Sequence, residues 1–230
     1  MDTLQIADRY RPKVERLVLA ALRTLADVPD GWADLIRAGD LEAALARLDR
    51  SGLQALAPRF VSKAKSPDGD NLDELLGNTA IDSAASPPAT LGLDASFEMV
   101  NLRAVQWAQD RAAQLVVQVD NETRRAIRDV VARVITEGGG TRAIARDVRA
   151  LVGLTSAQAR SLARYADTVA EKRTASKLVA RRADRLLRYR APNIARTETM
   201  RASNVGLRLQ WDDLSSRGLI DRKYAVRVWQ

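Results

Sequence analysis

Residues 193–206 read NIARTETMRASNVG, a segment in which polar and small side chains outnumber large apolar ones. On an α-helix, residues three and four apart share a face, and one such stripe holds Ile194, Thr197, Arg201 and Val205. Arg196, Glu198 and Asn204 fall on other faces. A plain surface helix does not need this many polar residues in a row. We therefore expect an internal network in which Glu198 accepts hydrogen bonds from Arg201, or from an arginine on a packed neighbouring helix.

A basic stretch lies directly before this segment, and its cations are opposed only by Glu171 and Asp184. The cations are Lys172, Arg173, Lys177, Arg181, Arg182, Arg185, Arg188 and Arg190. Arg181, Arg185 and Arg188 recur at i, i+4 and i+7, so one helix face forms a positive stripe. Such a stripe can follow the phosphates of duplex DNA without reading bases, in binding that weakens steeply with salt. A solvated face, or contact with an acidic patch on a partner protein, are the alternative interpretations.

The helical pattern extends around these two segments. Thr155, with Gln158 three residues later, forms a capping box that starts a helix leading toward the basic stretch. Pro192 suits the first turn of a further helix. We expect this helix to run to about Ser216 and to stop at Gly218.

The region between residues 97 and 140 has a long apolar pattern with one polar interruption. Two antiparallel helices are the economical interpretation, with their break at Asp120 and Asn121. The triglycine at 138–140 ends the second helix, because glycine is poor helix material. Glycines before a helix are also found in phosphate-binding loops. Here no strand precedes them and no Lys-Ser/Thr follows, so a helix break is the better interpretation.

The N-terminal third of the chain divides into a helical part and a linker. Residues 1–65 contain short amphipathic patterns, for which Asp30 and Asp40 are suitable N-caps. Residues 66–93 are rich in Ser, Pro, Asp and Gly, so we expect no long periodic element to cross them. This linker holds at most one short helical turn, around residues 72–76.

The C-terminal residues 223–229, KYAVRVW, alternate in a way typical of a β-strand. A lone strand is not stable, and no partner for it is evident elsewhere in the sequence. We therefore expect either that the natural chain continues past Gln230 or that the segment pairs with a neighbouring chain.

The composition favours an all-α fold, since aromatic residues make up only 4% and strong helix formers dominate the apolar residues. We predict an N-terminal helical module (1–65) and a linker (66–93). A C-terminal bundle of long antiparallel helices (94–230) follows and ends in a short strand without an in-chain partner. The formal net charge of +8 makes an anionic partner plausible, with nucleic acid first among the candidates.

The residue content also argues against several functional classes. The chain has no Cys and no His, which removes thiolate chemistry and the usual general base and nitrogen ligand. The carboxylates that could build an oxygen-ligand nuclease site lack clustered spacing; they are Glu98, Asp110, Glu122, Asp129 and Glu137. We expect no catalytic residue, metal or cofactor. No apolar run approaches the roughly 20 residues of a membrane span, and the charged start is unlike a signal peptide.

The segment at 193–206 resembles the IARTET-Arg-Ala-x-Asn-x-Gly signature of the phage Mu protein F-like family of head morphogenesis proteins. The order of segments before it is also similar: AVQWAQDRAAQLV, ETRRAIRDVV, a glycine-rich break, TRAIARDVRALVGLTSAQARSLARY and a basic helix. The resemblance covers residues 97 to 211, roughly half the chain. Many members of that family continue into a Cys- and His-containing segment suited to metal binding, and nothing of that kind is present here.

The resemblance implies a minor head protein of a tailed phage or prophage, present in few copies near the portal vertex. Portal protein, other head proteins and packaged duplex DNA would be its partners, within a multi-copy assembly. Its location would be the virion, and the host cytoplasm during assembly. No catalytic residue is implied. The residues matching the signature either lock helix packing or contact a partner; they are Asn193, Ile194, Ala195, Arg196, Thr197, Glu198, Thr199, Arg201, Asn204 and Gly206. A stand-alone basic DNA-binding protein is the alternative function.

Overall fold

The computed structural model describes residues 3–25, 71–85, 98–136 and 149–221, with single positions at 35, 38, 40, 42, 43 and 46. Within these residues every regular element is helical, so the all-α prediction is confirmed for them. The elements are α1 (Thr3–Leu25), α2 (Leu72–Ala85), α3 (Glu98–Thr136), a 3₁₀ turn (Arg149–Leu151), α4 (Ser156–Val169) and α5 (Ala175–Ser216). The predicted domain boundaries near residues 65 and 93, the triglycine and the strand-like tail lie outside the described residues.

The long helix α5 is central, and each of the other described α-helices packs on it. The start of α1 lies beside the C-terminal half of α5, where the Ser203 hydroxyl donates to the Thr3 carbonyl at 3.2 Å. The end of α1 lies beside the N-terminal half, where Arg23 bonds to Asp184. α1 therefore runs antiparallel to α5. The helices α2, α3 and α4 also run antiparallel to α5, as their cross-helix contacts show.

The buried positions of α5 recur every fourth residue over most of its length. They are Ala175, Val179, Ala183, Leu187, Ala191, Ala195 and Thr199. An α-helix has about 3.6 residues per turn, so a four-residue repeat makes the buried stripe wind around the axis. Different neighbours explain this winding, since α4 packs on the N-terminal half and α2 on the C-terminal half. The two halves of α5 consequently expose different faces.

The predicted helix start at Pro192 is wrong, because α5 passes through this proline without interruption. An interior proline costs about 3 kcal/mol by removing one backbone hydrogen bond and crowding the preceding turn. On either side of it, Ala191 and Ala195 are fully buried against neighbouring helices. Tertiary packing therefore outweighs the local preference of proline.

Three predicted helix caps are confirmed. The Thr155 hydroxyl accepts from the Gln158 N–H at 3.3 Å, and the Gln158 side chain accepts from the Thr155 N–H at 3.2 Å. α5 ends at Ser216, and Gly218 follows with a φ of 69°, a left-handed conformation that favours glycine. Asp40 accepts from the Ala43 N–H at 3.0 Å, as an N-cap does.

The predicted break at residues 120–121 is wrong, since α3 is one continuous helix of 39 residues. Asp120 is 6% exposed, and its carboxylate accepts from Arg124 Nε at 2.7 Å within the helix. Thr123 donates to the Val119 carbonyl and accepts from the Gly153 N–H. These polar groups are satisfied inside the helix, so they do not interrupt it.

The expected linker contains a 14-residue helix, α2, in place of a single turn. Nine of its residues are buried, including Leu72, Leu76 and the polar Ser83. A helix that is buried on most sides has no amphipathic periodicity, and this is why the sequence pattern missed it. α1, from the predicted N-terminal module, contributes Val18 and Leu22 to the same hydrophobic core as α2, α3 and α5.

Candidate interaction surfaces on helix α5

The signature residues of α5 divide into a buried and an exposed group. The buried ones are Ala195, Glu198, Thr199 and Gly206. The exposed ones are Asn193, Arg196, Thr197, Arg201 and Asn204. Ile194 is partly buried against the core. Both predicted roles, packing and surface contact, therefore have residues in position for them.

The buried Glu198 accepts hydrogen bonds from two arginines. Arg111 of α3 bonds to both carboxylate oxygens, with Nε–Oε2 and Nη2–Oε1 distances of 2.7 Å. Arg201 donates from Nη1 at 3.0 Å to Oε1 and 3.3 Å to Oε2. The hydrogen bond to Glu198 raises the pKa of Arg111, against the lowering effect of burial. The predicted network is confirmed, with both expected kinds of donor present at once.

The other buried signature residues bring α2 against α5. A Cβ atom at Gly206 would lie 1.9 Å from the backbone oxygen of Ala80, so only glycine permits this approach. One turn away, the hydroxyls of Ser203 and Ser83 are hydrogen-bonded at 2.9 Å. Thr199 turns inward and donates to the Ala195 carbonyl at 2.9 Å. Gly206 and Ser203 are therefore packing residues of the α2–α5 contact, while Thr199 is a buried residue that bonds within α5.

The exposed group forms one face of α5. Thr197, Arg201, Asn204 and Arg208 follow the helical spacing i, i+4, i+7 and i+11, so the expectation that Asn204 lies on a different face from Thr197 and Arg201 is wrong. Together with neighbouring side chains they line a groove with a volume of about 500 Å³, which we call the signature groove. Its residues are Arg196, Thr197, Met200, Arg201, Asn204, Val205 and Arg208. Met200 and Arg208 are not among the residues that the sequence pattern predicted for a contact surface. Arg208 lies four residues after Asn204 and seven after Arg201, and this helical spacing would have predicted that it shares their face.

The signature groove is strongly positive. Neither Arg196 nor Arg208 has an ion-pair partner among the described residues, and both are exposed. Arg201 shares the Glu198 carboxylate with Arg111. The Glu198 carboxylate is thus already paired with Arg111 as well, and the exposed Arg196 and Arg208 remain available to an anionic partner.

A second positive surface lies at the start of α5 and in the turn before it. Its five cations are exposed and form no side-chain ion pair with any described residue; they are Lys172, Arg173, Lys177, Arg181 and Arg185, which we call the basic surface. Arg188 is also exposed but bonds to Asp184 at 2.7 Å. Arg182 is half-buried over the Tyr165 ring, 5.9 Å from its centroid.

The prediction that Arg190 belongs to a phosphate-binding stripe is wrong. Arg190 is 6% exposed, and its guanidinium bonds to the Gly153 carbonyl and to the Glu122 carboxylate. Burial lowers the pKa of Arg190, while its interactions with Glu122 raise it. The side chain joins α5 to α3 and to the turn before α4. It is held inside the fold and cannot reach a phosphate.

The carboxylates considered for an oxygen-ligand site are separate from one another where they are described. Asp110 bonds to Gln106, Glu122 to Arg190 and Asp129 to Arg160. In the described part of the chain, no group of three or more acidic side chains could hold a metal ion. No helix among these residues is long and apolar enough to cross a membrane.

Comparisons of the chain with protein-family models, with curated proteins and with solved structures found no match.

Proposed function

We propose that this protein is a minor head protein of a tailed phage or prophage, which docks to the portal or inner capsid during assembly and contacts the packaged DNA. The proposal rests on the resemblance of residues 193–206 to the phage Mu protein F-like signature. Its location would be the virion, and the host cytoplasm during assembly. Its activity would be binding, in a multi-copy assembly.

The observation that carries the proposal is the division of the signature into two halves. Glu198 and Gly206 have clear packing roles within the chain. Arg196, Thr197 and Asn204 are exposed, and their side chains form no hydrogen bond or ion pair with another helix in the described part of the chain. Exposed polar residues in a segment that resembles a family signature are most simply explained by contact with a partner. We therefore assign the signature groove to binding the portal or inner capsid.

The basic surface is assigned to DNA. Its unpaired cations extend from the turn at Lys172 along α5 to Arg185. Flexible cations without carboxylate partners can neutralise phosphates and release counterions without reading a base sequence. Such contact suits a protein that meets packaged DNA of any sequence.

The test is co-sedimentation with the portal protein encoded in the same phage or prophage genome, at low and at high salt, with and without duplex DNA. We expect the protein to remain bound to portal at high salt, because packed apolar surface would contribute to the affinity in addition to the charges. An absence of portal binding under every condition would overturn the proposal.

The alternative is a stand-alone DNA-binding protein, which the basic surface by itself would support. In that case the protein would bind duplex DNA and no head component. The triple variant Lys177→Glu, Arg181→Glu, Arg185→Glu should abolish DNA binding in either case. A charge-matched control is Arg103→Glu, Arg125→Glu, Arg164→Glu, which changes exposed arginines outside both surfaces. If the variant changed in the basic surface still binds portal, the head protein function is supported. If neither it nor wild type binds portal, the stand-alone DNA-binding function is supported.

A further inference from the structure

We propose that the signature groove binds an acidic, partly apolar helical segment of a protein, while the basic surface remains free to hold DNA. The proposal deepens the proposed function and rests on it, since it names the chemistry of the partner at the docking surface. The occupant is a protein segment and not nucleic acid.

The charge of the groove requires an anionic occupant. Arg196 and Arg208 are exposed cations without ion-pair partners in the described structure. Arg201 lies between them, 43% exposed, and the carboxylate that it touches is already held by Arg111. The groove thus offers two guanidinium groups without ion-pair partners among the described residues, Arg196 and Arg208, and a third, Arg201, that shares its carboxylate with Arg111. Guanidinium groups bind either of these in two-pronged geometry.

The apolar residues of the groove favour a protein over DNA. Met200 and Val205 are half-buried and line the same concave surface as the arginines. The phosphate backbone offers no apolar group to such residues, whereas an amphipathic helix offers both apolar and acidic side chains. The thioether of Met adapts to apolar partners of varied shape. The five cations of the basic surface, in contrast, can pair with a phosphate backbone without any apolar contact.

The length of the groove fits one short helix. From residue 196 to residue 208, α5 rises about 18 Å at 1.5 Å per residue, which equals about three turns of a partner helix lying along it. Arg196 and Arg208 then lie at opposite ends of the contact. Acidic residues near both ends of the partner segment would meet them.

The far end of the signature groove points away from the basic surface. From Arg181 to Arg208 the helix makes about 7.5 turns and rises about 40 Å, so these two side chains leave α5 on opposite sides. Arg196, about three turns after Arg185, lies on the same side as the basic surface. A protein segment held at the Asn204 and Arg208 end of the groove would thus lie across α5 from a DNA duplex on the basic surface, and one chain can bridge them.

The first experiment is a bridging assay with DNA-coated beads, the full-length protein and the portal protein. The variants are Asn204→Glu with Arg208→Glu in the groove, on the side of α5 opposite Arg181, and Arg181→Glu with Arg185→Glu in the basic surface. Wild type should carry portal onto the beads. The groove variant should bind DNA normally and weaken the affinity for portal about 100-fold, since one favourable charge is reversed and a repulsive charge is added. The basic-surface variant should bind portal with an affinity within about threefold of that of wild type. It should no longer bind the DNA-coated beads.

The outcomes separate this inference from the proposed function. If wild type does not bind portal, both fail. If wild type binds portal and the groove variant binds it equally tightly, only the inference fails. If the groove variant loses DNA in place of portal, the occupant is nucleic acid and the inference is overturned. Equal thermal melting of all variants shows that they are folded.

A photo-crosslink tests the chemistry of the occupant directly. Asn204, exposed in the middle of the groove, is replaced by p-benzoylphenylalanine, and the crosslinked portal peptide is identified by mass spectrometry. A segment with net negative charge and helical apolar spacing is the expected product. A crosslink to a basic segment, or to DNA alone, would overturn the assignment.

Discussion

Arg111 of α3 and Glu198 of α5 form a two-pronged ion pair between helices, although they lie 87 residues apart in sequence. The carboxylate is 3% exposed and the guanidinium 14%, so both charges are largely withdrawn from water. A buried charge that loses its partner is far more costly than an exposed one. The pair therefore makes α3 and α5 depend strongly on each other.

Replacing Glu198 should test this dependence. We expect Glu198→Gln to lower the free energy of unfolding by about 3 kcal/mol or more, because Arg111 would keep a buried charge without its counter-charge. Urea denaturation followed by circular dichroism measures the change. Arg201→Gln removes only the more exposed donor to the same carboxylate and should cost less than about 1 kcal/mol. If both variants lost the same free energy of unfolding, the buried pair would contribute no more to stability than the exposed one.

The contact of Gly206 with α2 predicts an asymmetric response of two glycines. Gly206→Ala should destabilise the protein by at least about 2 kcal/mol, since its Cβ would collide with the Ala80 backbone oxygen. At Gly77 the nearest atom to a new Cβ is 3.7 Å away, an ordinary contact. Gly77→Ala should therefore be neutral or stabilise by up to about 1 kcal/mol through helix propensity. Thermal unfolding of both variants decides, and a reversed order would disprove the close approach.

Gln210 predicts a stabilising substitution. Its side chain is fully buried, and neither amide atom has a hydrogen-bond partner among the described residues. Gln210→Met keeps nearly the same shape and removes the unsatisfied polar group, so we expect a gain of about 1 kcal/mol in unfolding free energy. Gln109→Met, on the exposed side of α3, should change stability by less than about 0.5 kcal/mol. A loss of stability in Gln210→Met would indicate that the amide has a partner in solution.

Asp184 predicts a pH dependence. Hydrogen bonding from Arg188 lowers the pKa of Asp184, and Arg23 lowers it further, while burial opposes both. Because the folded pKa lies below the unfolded one, the stabilisation is fully present above the unfolded pKa. It is lost as the pH falls through the folded value. Carboxyl ¹³C NMR titration should show a higher pKa for Asp184 in Arg188→Gln, and a smaller rise in Arg23→Gln. An unchanged pKa in both variants would contradict the assigned causes.

The sequence predicted the features of this fold that depend on neighbouring residues. Each confirmed cap involves side chains and backbone only a few residues apart. The caps are the capping box of Thr155 and Gln158, the glycine cap at Gly218 and the N-cap at Asp40. The polar character of the signature also predicted that Glu198 would accept from arginines. It did not identify Arg111, because an 87-residue separation leaves no periodic trace.

The two wrongly predicted helix boundaries share one cause. Pro192 and the Asp120-Asn121 pair have poor helix propensity, yet both lie within continuous helices. Propensity differences amount to about 1 kcal/mol per residue, or about 3 for proline, and burial of adjacent residues outweighs them. α2 was missed for the complementary reason, since it is buried on most sides and its sequence has no amphipathic pattern.

The sequence by itself determined that the described chain is helical, where several of its helices are capped, and that residues 193–206 combine polar and small side chains in a recognisable order. Only the tertiary structure decided which of these side chains turn inward and which outward. It buried Arg190 and Glu198 while leaving Arg196 and Arg208 exposed, although all four are charged residues of one helix. Helix formation and capping depend on residues a few positions apart. The direction in which a side chain points has meaning only once distant helices have packed around α5.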